Sequence, residues 1–213
     1  SSATVYVDAD SVPIKENAPI KEAFSPYGKT KQICEEIIRD STKSNSSTKS
    51  VVLRYFNPIG AHPSGLIGEL PNGKPQNLIP FITQSLIGKI NKLMVFGDDY
   101  PTEDGTCIRD YIDVMDLAEA HIKSLEFILE PKNDKNFEVI NIGTGKGHSV
   151  FQIIKIFEKV TKKKLNYKVT ERRKGDVPIS YADCSKAKEI LGWTSKLSIE
   201  DSIASSWNWE NNN

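Results

Sequence analysis

Tyr27 and Lys31 are the two residues whose types and spacing most directly suggest chemistry. Four positions apart on a helix, their side chains would lie on one face, one above the other. A free phenol is a weak base because it ionises only at about pH 10, but a neighbouring ammonium group stabilises the phenolate. Such a pair could remove a proton from a sugar or steroid hydroxyl, with a serine hydroxyl as a further hydrogen-bond partner. Alone, the spacing is also typical of an exposed helix with an aromatic–cation contact.

The elements around this pair can be predicted from the flanking residues. Ser25 and Pro26 predict a helix start, with serine as N-cap and proline at the first helical position. Apolar residues at helical spacing extend this helix to about Asp40. The neighbouring segments are predicted to be the end of a β-strand over 1–7, a loop over 8–24 and a mobile polar connection over 41–50.

The rest of the chain alternates strands and helices, which predicts an α/β architecture. Short apolar runs predict strands at 51–56, 92–96, 137–143 and 165–169, and glycine and proline predict an ordered loop at 57–75. Helical spacing predicts helices at 78–87, from near Asp116 to Leu129, at 149–160, at 185–191 with Gly192 as C-cap, and at 198–209.

The composition excludes several classes of protein. The 213 residues include 28 Lys and Arg and 28 Asp and Glu, and 38% are hydrophobic, so the chain is neither disordered nor attracted in bulk to nucleic acid or membranes. No apolar run of about 18 residues predicts a transmembrane helix, and no leader is visible. Three sparse cysteines, and histidines without metal-ligand spacing, predict no disulfide framework, no metal site and a reducing, cytoplasmic location.

Longer strings identify a family resemblance. Ser2-Ala3-Thr4-Val5-Tyr6 followed by Tyr27 and Lys31 resembles the active site of the extended short-chain dehydrogenase/reductase superfamily. LRYFNPIGAHPSG from Leu53, GDDYPTEDGTCIRDYIDVMDL from Gly97 and ERRKGD from Glu171 resemble, in this order, the UDP-glucose 4-epimerase family. The similarity runs from Ser1 to about Trp209. It implies an incomplete Rossmann-type parallel sheet plus a smaller α/β substrate-binding domain.

The resemblance also implies roles for individual residues. Tyr27 would be the phenolate base, Lys31 would support it and bind the nicotinamide ribose, and Ser2 would hydrogen-bond the sugar 4-hydroxyl. The remaining implied residues are Tyr55, Phe56 and Pro58 on the nicotinamide side; Asn57, Asn77 and Leu78 on the sugar nucleotide; Met94 and Phe96 beside the uracil; Arg109 and Arg173 on the diphosphate; Asp176 on a ribose hydroxyl; and Ser180 beside the sugar.

The activity implied is NAD-dependent epimerisation at C4 of UDP-glucose and UDP-galactose, in galactose metabolism, by a protein that forms a homodimer through the Tyr-Lys helix. Because Ser180 is small, the UDP-N-acetylglucosamine and UDP-N-acetylgalactosamine pair is implied as well. Two alternatives remain open. One is a nucleotide-sugar dehydratase or decarboxylase of the same superfamily, although Ser2-Ala3-Thr4 lacks the acid–base pair that dehydration needs. The other is a catalytically silent binding protein.

The chain departs from the family pattern in two respects. Val7, Leu70, Gln76 and Asp113 stand where the family usually has Gly, Asp, Asn and His. No glycine-rich dinucleotide-binding turn occurs, so we expect the chain to be a C-terminal portion that is inactive without its N-terminal half. On this interpretation, residues 1–57 are the remnant of the NAD-binding Rossmann domain, residues 58–213 mainly bind the UDP-sugar, and residues 137–160 return to the Rossmann sheet.

Overall fold

The computed structural model describes residues 1–45 and 47–213. Its helices are α1 (Pro26–Ser44), α2 (Leu78–Leu86), α3 (Val114–Leu129), α4 (Val150–Thr161), α5 (Ser185–Leu191) and α6 (Ile199–Asn212), with a 3-10 helix at Ala3–Tyr6. Its strands are β1 (Ser50–Tyr55), β2 (Asn57–Ile59), β3 (Leu93–Phe96), β4 (Ile108–Asp113), β5 (Phe137–Ile142), β6 (Gly147–Ser149), β7 (Tyr167–Thr170) and β8 (Ile179–Ser180).

The strands form small, mainly parallel sheets. β1 pairs with β5 in parallel, from Ser50 opposite Phe137 to Tyr55 opposite Ile142. β4 pairs in parallel with β2 and β8 and antiparallel with β6, while β3 pairs in parallel with β7. Ser2 adds an isolated parallel bridge to Tyr55. The first residues of the chain therefore lie next to the carboxyl end of β1.

Capping side chains explain where the helices begin. The hydroxyl of Ser25 accepts the Gly28 N–H at 3.1 Å, and Pro26 occupies the first turn of α1. Ser149 and Ser198 form complete capping boxes on α4 and α6. α5 ends at Gly192 in the left-handed conformation. These termini agree with the sequence predictions because a cap is read from a few neighbouring residues.

Three clusters of buried apolar residues hold the elements together. The largest joins α2, α4 and α6 to β3 and includes Ile82, Phe157 and Ile203. A second packs α3 and α5 on β1 and β5. The third joins Val5 and Tyr6 to Phe56 and Ala182. This third cluster fixes the start of the chain against the end of β1.

The structure corrects several predicted elements. Residues 3–6 form a 3-10 helix rather than a strand, and only Ser2 makes a bridge. α1 continues to Ser44, so the predicted connection at 41–50 is shorter; Ser46 within it lies outside the described residues. α3 begins at Val114 because Asp113 caps it. Strands β2, β4, β6 and β8 were not predicted, and three of them have only two or three residues.

No helix in the described part of the chain has both the length and the apolar character required to cross a membrane.

Candidate active site

Two adjoining cavities contain most of the predicted site residues. The first, here called the β3 cavity, has a volume of about 140 Å³ and is walled by β3, the start of α2 and β4. The second, the Tyr27 cavity, has about 690 Å³ and is walled by the 3-10 helix, the start of α1 and residues 173–180. The two share the lining residues Asn57, Asn77, Arg109, Arg173 and Asp176.

The Tyr27 cavity brings the predicted base and its serine partner together. Tyr27 lies in the first turn of α1 with 55% of its surface exposed, and Ser2 precedes the 3-10 helix. The Ser2 hydroxyl oxygen accepts the Thr4 N–H at 3.3 Å, which leaves its proton available for a bound hydroxyl. Phe56 and Pro58 line the same cavity. A sugar hydroxyl here could meet both oxygen atoms.

Lys31 lies one turn beyond Tyr27, with its Nζ 5.4 Å from the centroid of the Tyr27 ring. It lines a third cavity of about 510 Å³ along the edge of β1, together with Tyr55. Tyr55 and Phe56 are adjacent and line different cavities, and the Tyr55 hydroxyl lies 3.2 Å from His121 Nε2. The structure therefore brings Phe56 and Pro58 next to Tyr27, but it does not bring Tyr55 there.

Two arginines and one carboxylate stand where the cavities meet. Arg173 donates two hydrogen bonds to Asp176, at 3.1 and 2.8 Å. Arg109 lies 3.8 Å from the same carboxylate. Hydrogen bonding to Asp176 raises the pKa of Arg173, so the guanidinium group remains protonated and positively charged. Two guanidinium groups against one carboxylate leave a net positive charge, which suits a diphosphate.

The β3 cavity is a mostly apolar slot. Met94 and Phe96 on β3 and Leu78 on α2 line it as predicted, and the Arg173 guanidinium lies 5.7 Å from the Phe96 ring centroid. Asn77 at its rim donates to Glu69 at 2.8 Å. Burial raises the pKa of the Cys107 thiol in its wall, so this group remains protonated. The slot can hold a flat ring beside the cationic junction.

Ser180 lines the Tyr27 cavity at the end of β8, where it pairs in register with Arg109. Its neighbour Tyr181 does not line that cavity. A Cβ added at Gly147 would lie 3.3 Å from Cδ1 of Tyr181, so the tyrosine ring packs beside that glycine. The small Ser180 side chain therefore faces the cavity without the adjacent ring filling it.

The four departures from the family pattern occupy distinct environments. Val7 lines the Tyr27 cavity with a φ of 56°, and Gln76 lines the β3 cavity. Leu70 is exposed on a loop. Asp113 caps α3 by accepting the Met115 N–H at 2.8 Å, and its carboxylate occupies the space that a Cβ on Gly60 would need.

Sequence reasoning missed several lining residues. Phe24, 66% exposed, lines the Tyr27 cavity with Lys174 and Val177, and Cys107 and Tyr111 line the β3 cavity. Phe24 immediately precedes Ser25, the cap of α1, and Cys107 and Tyr111 flank Arg109, so proximity to a predicted site residue was the available signal.

Residues 1–206 match the family described as GDP-mannose 4,6 dehydratase. The chain belongs to this family. Its predicted α/β class, with part of a Rossmann-type parallel sheet, is confirmed by the parallel strand pairs and by the structural matches to UDP-glucose 4-epimerases.

Individual relatives give a more specific comparison. The UDP-glucose 4-epimerase of Bacillus subtilis (strain 168) is 49% identical over 213 residues, which are 100% of this chain and 62% of the relative. The UDP-glucose-4-epimerase from Stenotrophomonas maltophila, with bound NAD and formylated UDP-arabinopyranose, has a TM-score of 0.95 and 43% identity and is covered over 62% of its chain. The UDP-glucose 4-epimerase from Bifidobacterium longum, in complex with NAD+ and UDP, has a TM-score of 0.94, 45% identity and the same coverage.

These matches extend over the whole chain, and they confirm the resemblance predicted from the motifs. The chain spans 62% of the length of these relatives.

Proposed function

We propose that this chain is the substrate-binding portion of an NAD-dependent enzyme that epimerises UDP-glucose and UDP-galactose at C4, within galactose metabolism. The observation that carries this proposal is the arrangement of the two cavities. A hydroxyl-binding pair, Ser2 and Tyr27, lies at one end, two arginines lie at the junction, and an apolar slot lies at the other end. This order matches the order of sugar, diphosphate and base in a UDP-sugar.

In this function Tyr27 removes the proton from the sugar 4-hydroxyl and returns it there. Lys31, one turn along α1, stabilises the phenolate by its positive charge. Ser2 donates a hydrogen bond to the same sugar oxygen, which fixes that oxygen beside Tyr27. The cavity of about 690 Å³ is large enough for a hexose to present either face.

The residues present fit the nicotinamide end of NAD. Tyr27, Phe56 and Pro58 line one open cavity, and Lys31 and Tyr55 line the cavity at the neighbouring edge of β1. These five residues would hold the nicotinamide and its ribose. When bound, NAD would supply the acceptor and donor of the hydride at C4.

The structure favours epimerisation over dehydration. Dehydration needs an additional acid and base beside the serine, but the residues next to Ser2 in the cavity are Ala3 and Thr4. Among the described lining residues of the Tyr27 cavity the one carboxylate is Asp176, which is paired with Arg173. A silent binding protein would not need Ser2, Tyr27 and Lys31 together.

The substrate range of this enzyme includes the N-acetylated sugar pair. Support comes from the small side chain of Ser180 at the cavity and from the position of the Tyr181 ring beside Gly147. An acetamido group needs space that a tyrosine at position 180 would occupy, and serine leaves that space open.

The domain arrangement follows from the same proposal. Residues 1–57 belong to the NAD-binding domain, and residues 58–213 mainly bind the UDP-sugar. Residues 137–160 return to the NAD-binding sheet, and the parallel pairing of β5 with β1 supports this.

The full-length enzyme is proposed to be a cytoplasmic homodimer that contacts its partner through α1. The exposed apolar residues of that helix, Ile33, Ile37 and Ile38, support this interface. Three free, sparse cysteines support a reducing compartment.

Turnover of UDP-galactose by the full-length protein tests the proposed function. We expect conversion to UDP-glucose with NAD bound and no net change in its oxidation state. Release of a 4-keto-6-deoxy product instead would assign the dehydratase activity. Tight UDP-sugar binding without either product would assign the binding protein.

A further inference from the structure

Val7 has a backbone conformation that its side chain disfavours. Its φ is 56° and its ψ is −120°, and only one other non-glycine residue in the described chain, Lys162, has a positive φ. A β-branched residue in this region is strained because its Cβ crowds the adjacent carbonyl group. A glycine would adopt the same backbone without that cost.

The surrounding structure enforces this conformation from both sides. The preceding residue, Tyr6, is fully buried; its hydroxyl donates to Asn141 at 2.6 Å, and its ring lies 4.7 Å from the Arg54 guanidinium carbon. The following residue, Asp8, has its carbonyl oxygen bound by the Lys21 ammonium at 2.6 Å. Val7 therefore cannot relax by rotating its own backbone without breaking these anchors.

Val7 also lies in the wall of the candidate active site. Val7 lines the Tyr27 cavity together with Ser2, Thr4, Tyr27 and Ser180. A glycine at this position would contribute no side chain to that wall. Strain that persists at a cavity wall is a sign of function, since such conformations concentrate at ligand sites.

We propose that Val7 is a specificity-determining residue that forms an apolar wall against the sugar ring and holds the ring against Ser2 and Tyr27. The proposal rests on the proposed function in that the ligand is a UDP-sugar. It adds that valine at this position lowers the stability of the fold, which glycine would not, and narrows the space in which the sugar binds.

Two variants separate the effect of backbone strain at Val7 from the effect of contact between its side chain and the sugar. Val7→Gly removes both, whereas Val7→Ala removes most of the wall and keeps a Cβ in the strained conformation. Lys162→Gly is the matched control, because Lys162 has a φ of 57° at the end of α4 and lines neither the β3 cavity nor the Tyr27 cavity. Binding of UDP and of UDP-glucose to the full-length protein is measured by calorimetry, and the melting temperature is measured alongside.

We expect Val7→Gly to raise the melting temperature of the full-length protein by about 2 °C, because relief of backbone strain of this kind shifts the melting temperature of a protein of a few hundred residues by roughly that amount. We expect it to weaken UDP-glucose binding about tenfold, as removal of one apolar contact does, with UDP binding unchanged. Val7→Ala should weaken UDP-glucose binding without raising the melting temperature. Lys162→Gly should raise the melting temperature and leave both affinities unchanged.

The outcomes distinguish this proposal from the proposed function. If the parent binds neither UDP nor UDP-glucose, the proposed function is wrong and this proposal fails with it. If the parent binds both ligands and Val7→Gly binds UDP-glucose as tightly as the parent, Val7 is no sugar contact and this proposal alone is overturned. A lower melting temperature in Val7→Gly would overturn the assignment of strain.

Discussion

At the scale of single residues, Tyr27 is the side chain on which the proposed reaction depends. It lies exposed in the Tyr27 cavity with the Lys31 ammonium 5.4 Å from its ring centroid. Tyr27→Phe keeps the ring and removes the proton acceptor. We expect kcat in the full-length protein to fall by about 10²–10⁴, the usual effect of losing a general base.

The control for this substitution is Tyr167→Phe, which removes a hydroxyl from an exposed tyrosine on β7. Initial rates of UDP-galactose conversion are measured for both variants. A Tyr27→Phe enzyme within threefold of the parent would exclude Tyr27 as the base.

The small side chain of Ser180 in the Tyr27 cavity can also be tested by substitution. Ser180→Tyr would place a ring in the Tyr27 cavity, where an acetamido group would otherwise lie. We expect the variant to lose activity on UDP-N-acetylglucosamine by at least about 100-fold and to keep that on UDP-glucose within tenfold, because a steric clash discriminates more strongly than a lost contact. Ser180→Ala, which adds no bulk, should retain both activities. Equal treatment of the two sugars by Ser180→Tyr, or no acetylated-sugar activity in the parent, would contradict the assignment.

At the scale of elements, a buried ion pair joins α1 to β1. Arg54 and Glu35 approach to 2.6 Å with side chains only 3% and 6% exposed, and Arg54 also contacts the Tyr6 ring. Burial raises the pKa of Glu35, but hydrogen bonds from Arg54 and Ser1 outweigh this and hold its pKa below the usual value. The pair thereby fixes the helix that carries Tyr27 and Lys31 against the sheet.

Glu35→Gln should lower the free energy of unfolding by about 3–5 kcal/mol at pH 7, since it leaves the Arg54 charge buried without a counterion. A carboxyl with a lowered pKa in the folded state contributes stability above its unfolded pKa and loses that contribution as the pH falls through the folded value. In urea titrations from pH 7 to pH 3, the difference in unfolding free energy between parent and variant should therefore become smaller at acidic pH. Glu126→Gln, in the exposed pair with Lys123, should change the stability by at most about 1 kcal/mol. A constant gap across this range would contradict the assigned charge state.

The N-terminus of α3 gives the opposite dependence on pH. Burial raises the pKa of Asp113, and nearby Asp116 and Asp201 act in the same direction. An acid with a raised pKa in the folded state contributes stability below its unfolded pKa and loses it as the pH rises through the folded value. Asp113→Asn can still cap α3, so we expect it to unfold at a higher urea concentration than the parent at pH 7 and at the same concentration near pH 3.

Asp201→Asn is the matched control for Asp113→Asn. Asp201 belongs to the capping box of α6, and its hydrogen bond with Ser198 lowers its pKa. Its substitution should bring no gain in stability at pH 7. If Asp113→Asn is less stable than the parent at pH 7, the hydrogen bonds to the ionised Asp113 carboxylate of the parent outweigh the cost of burying its charge.

At the scale of the whole molecule, the sequence predicted the helices better than the short strands. Ser25 with Pro26, Ser149 and Gly192 define helix ends through local hydrogen bonds and backbone preferences. β2, β6 and β8 each form by pairing with β4, and these pairings join residues far apart in the chain. Residues 3–6 have the composition of a strand, but the Ser2 cap and buried Tyr6 turn them into a 3-10 helix.

In the candidate site, too, some residues could be predicted from the sequence and others could not. Most of the predicted site residues line the β3 and Tyr27 cavities, including Arg109 and Arg173, which are far apart in the chain but line both. The strings could not predict that Tyr55 would line a different cavity from Phe56, since that depends on which face of the sheet each side chain meets. Nor could they predict Phe24, which reaches the cavity through the path of the loop before α1.

The 213-residue chain contains all the named residues of the β3 cavity and the two arginines at its junction with the Tyr27 cavity. Its sequence contains no G-x-x-G-x-x-G string of the kind that holds a dinucleotide pyrophosphate. We therefore expect the purified chain to bind UDP, to retain no NAD and to convert no UDP-galactose. Calorimetry measures UDP binding, and absorbance of the protein after gel filtration measures NAD. Arg173→Ala should weaken UDP binding by at least about tenfold, because it removes charge-assisted hydrogen bonds to the phosphates. Stoichiometric NAD with turnover would mean that residues 1–213 hold the cofactor by contacts other than those assigned here.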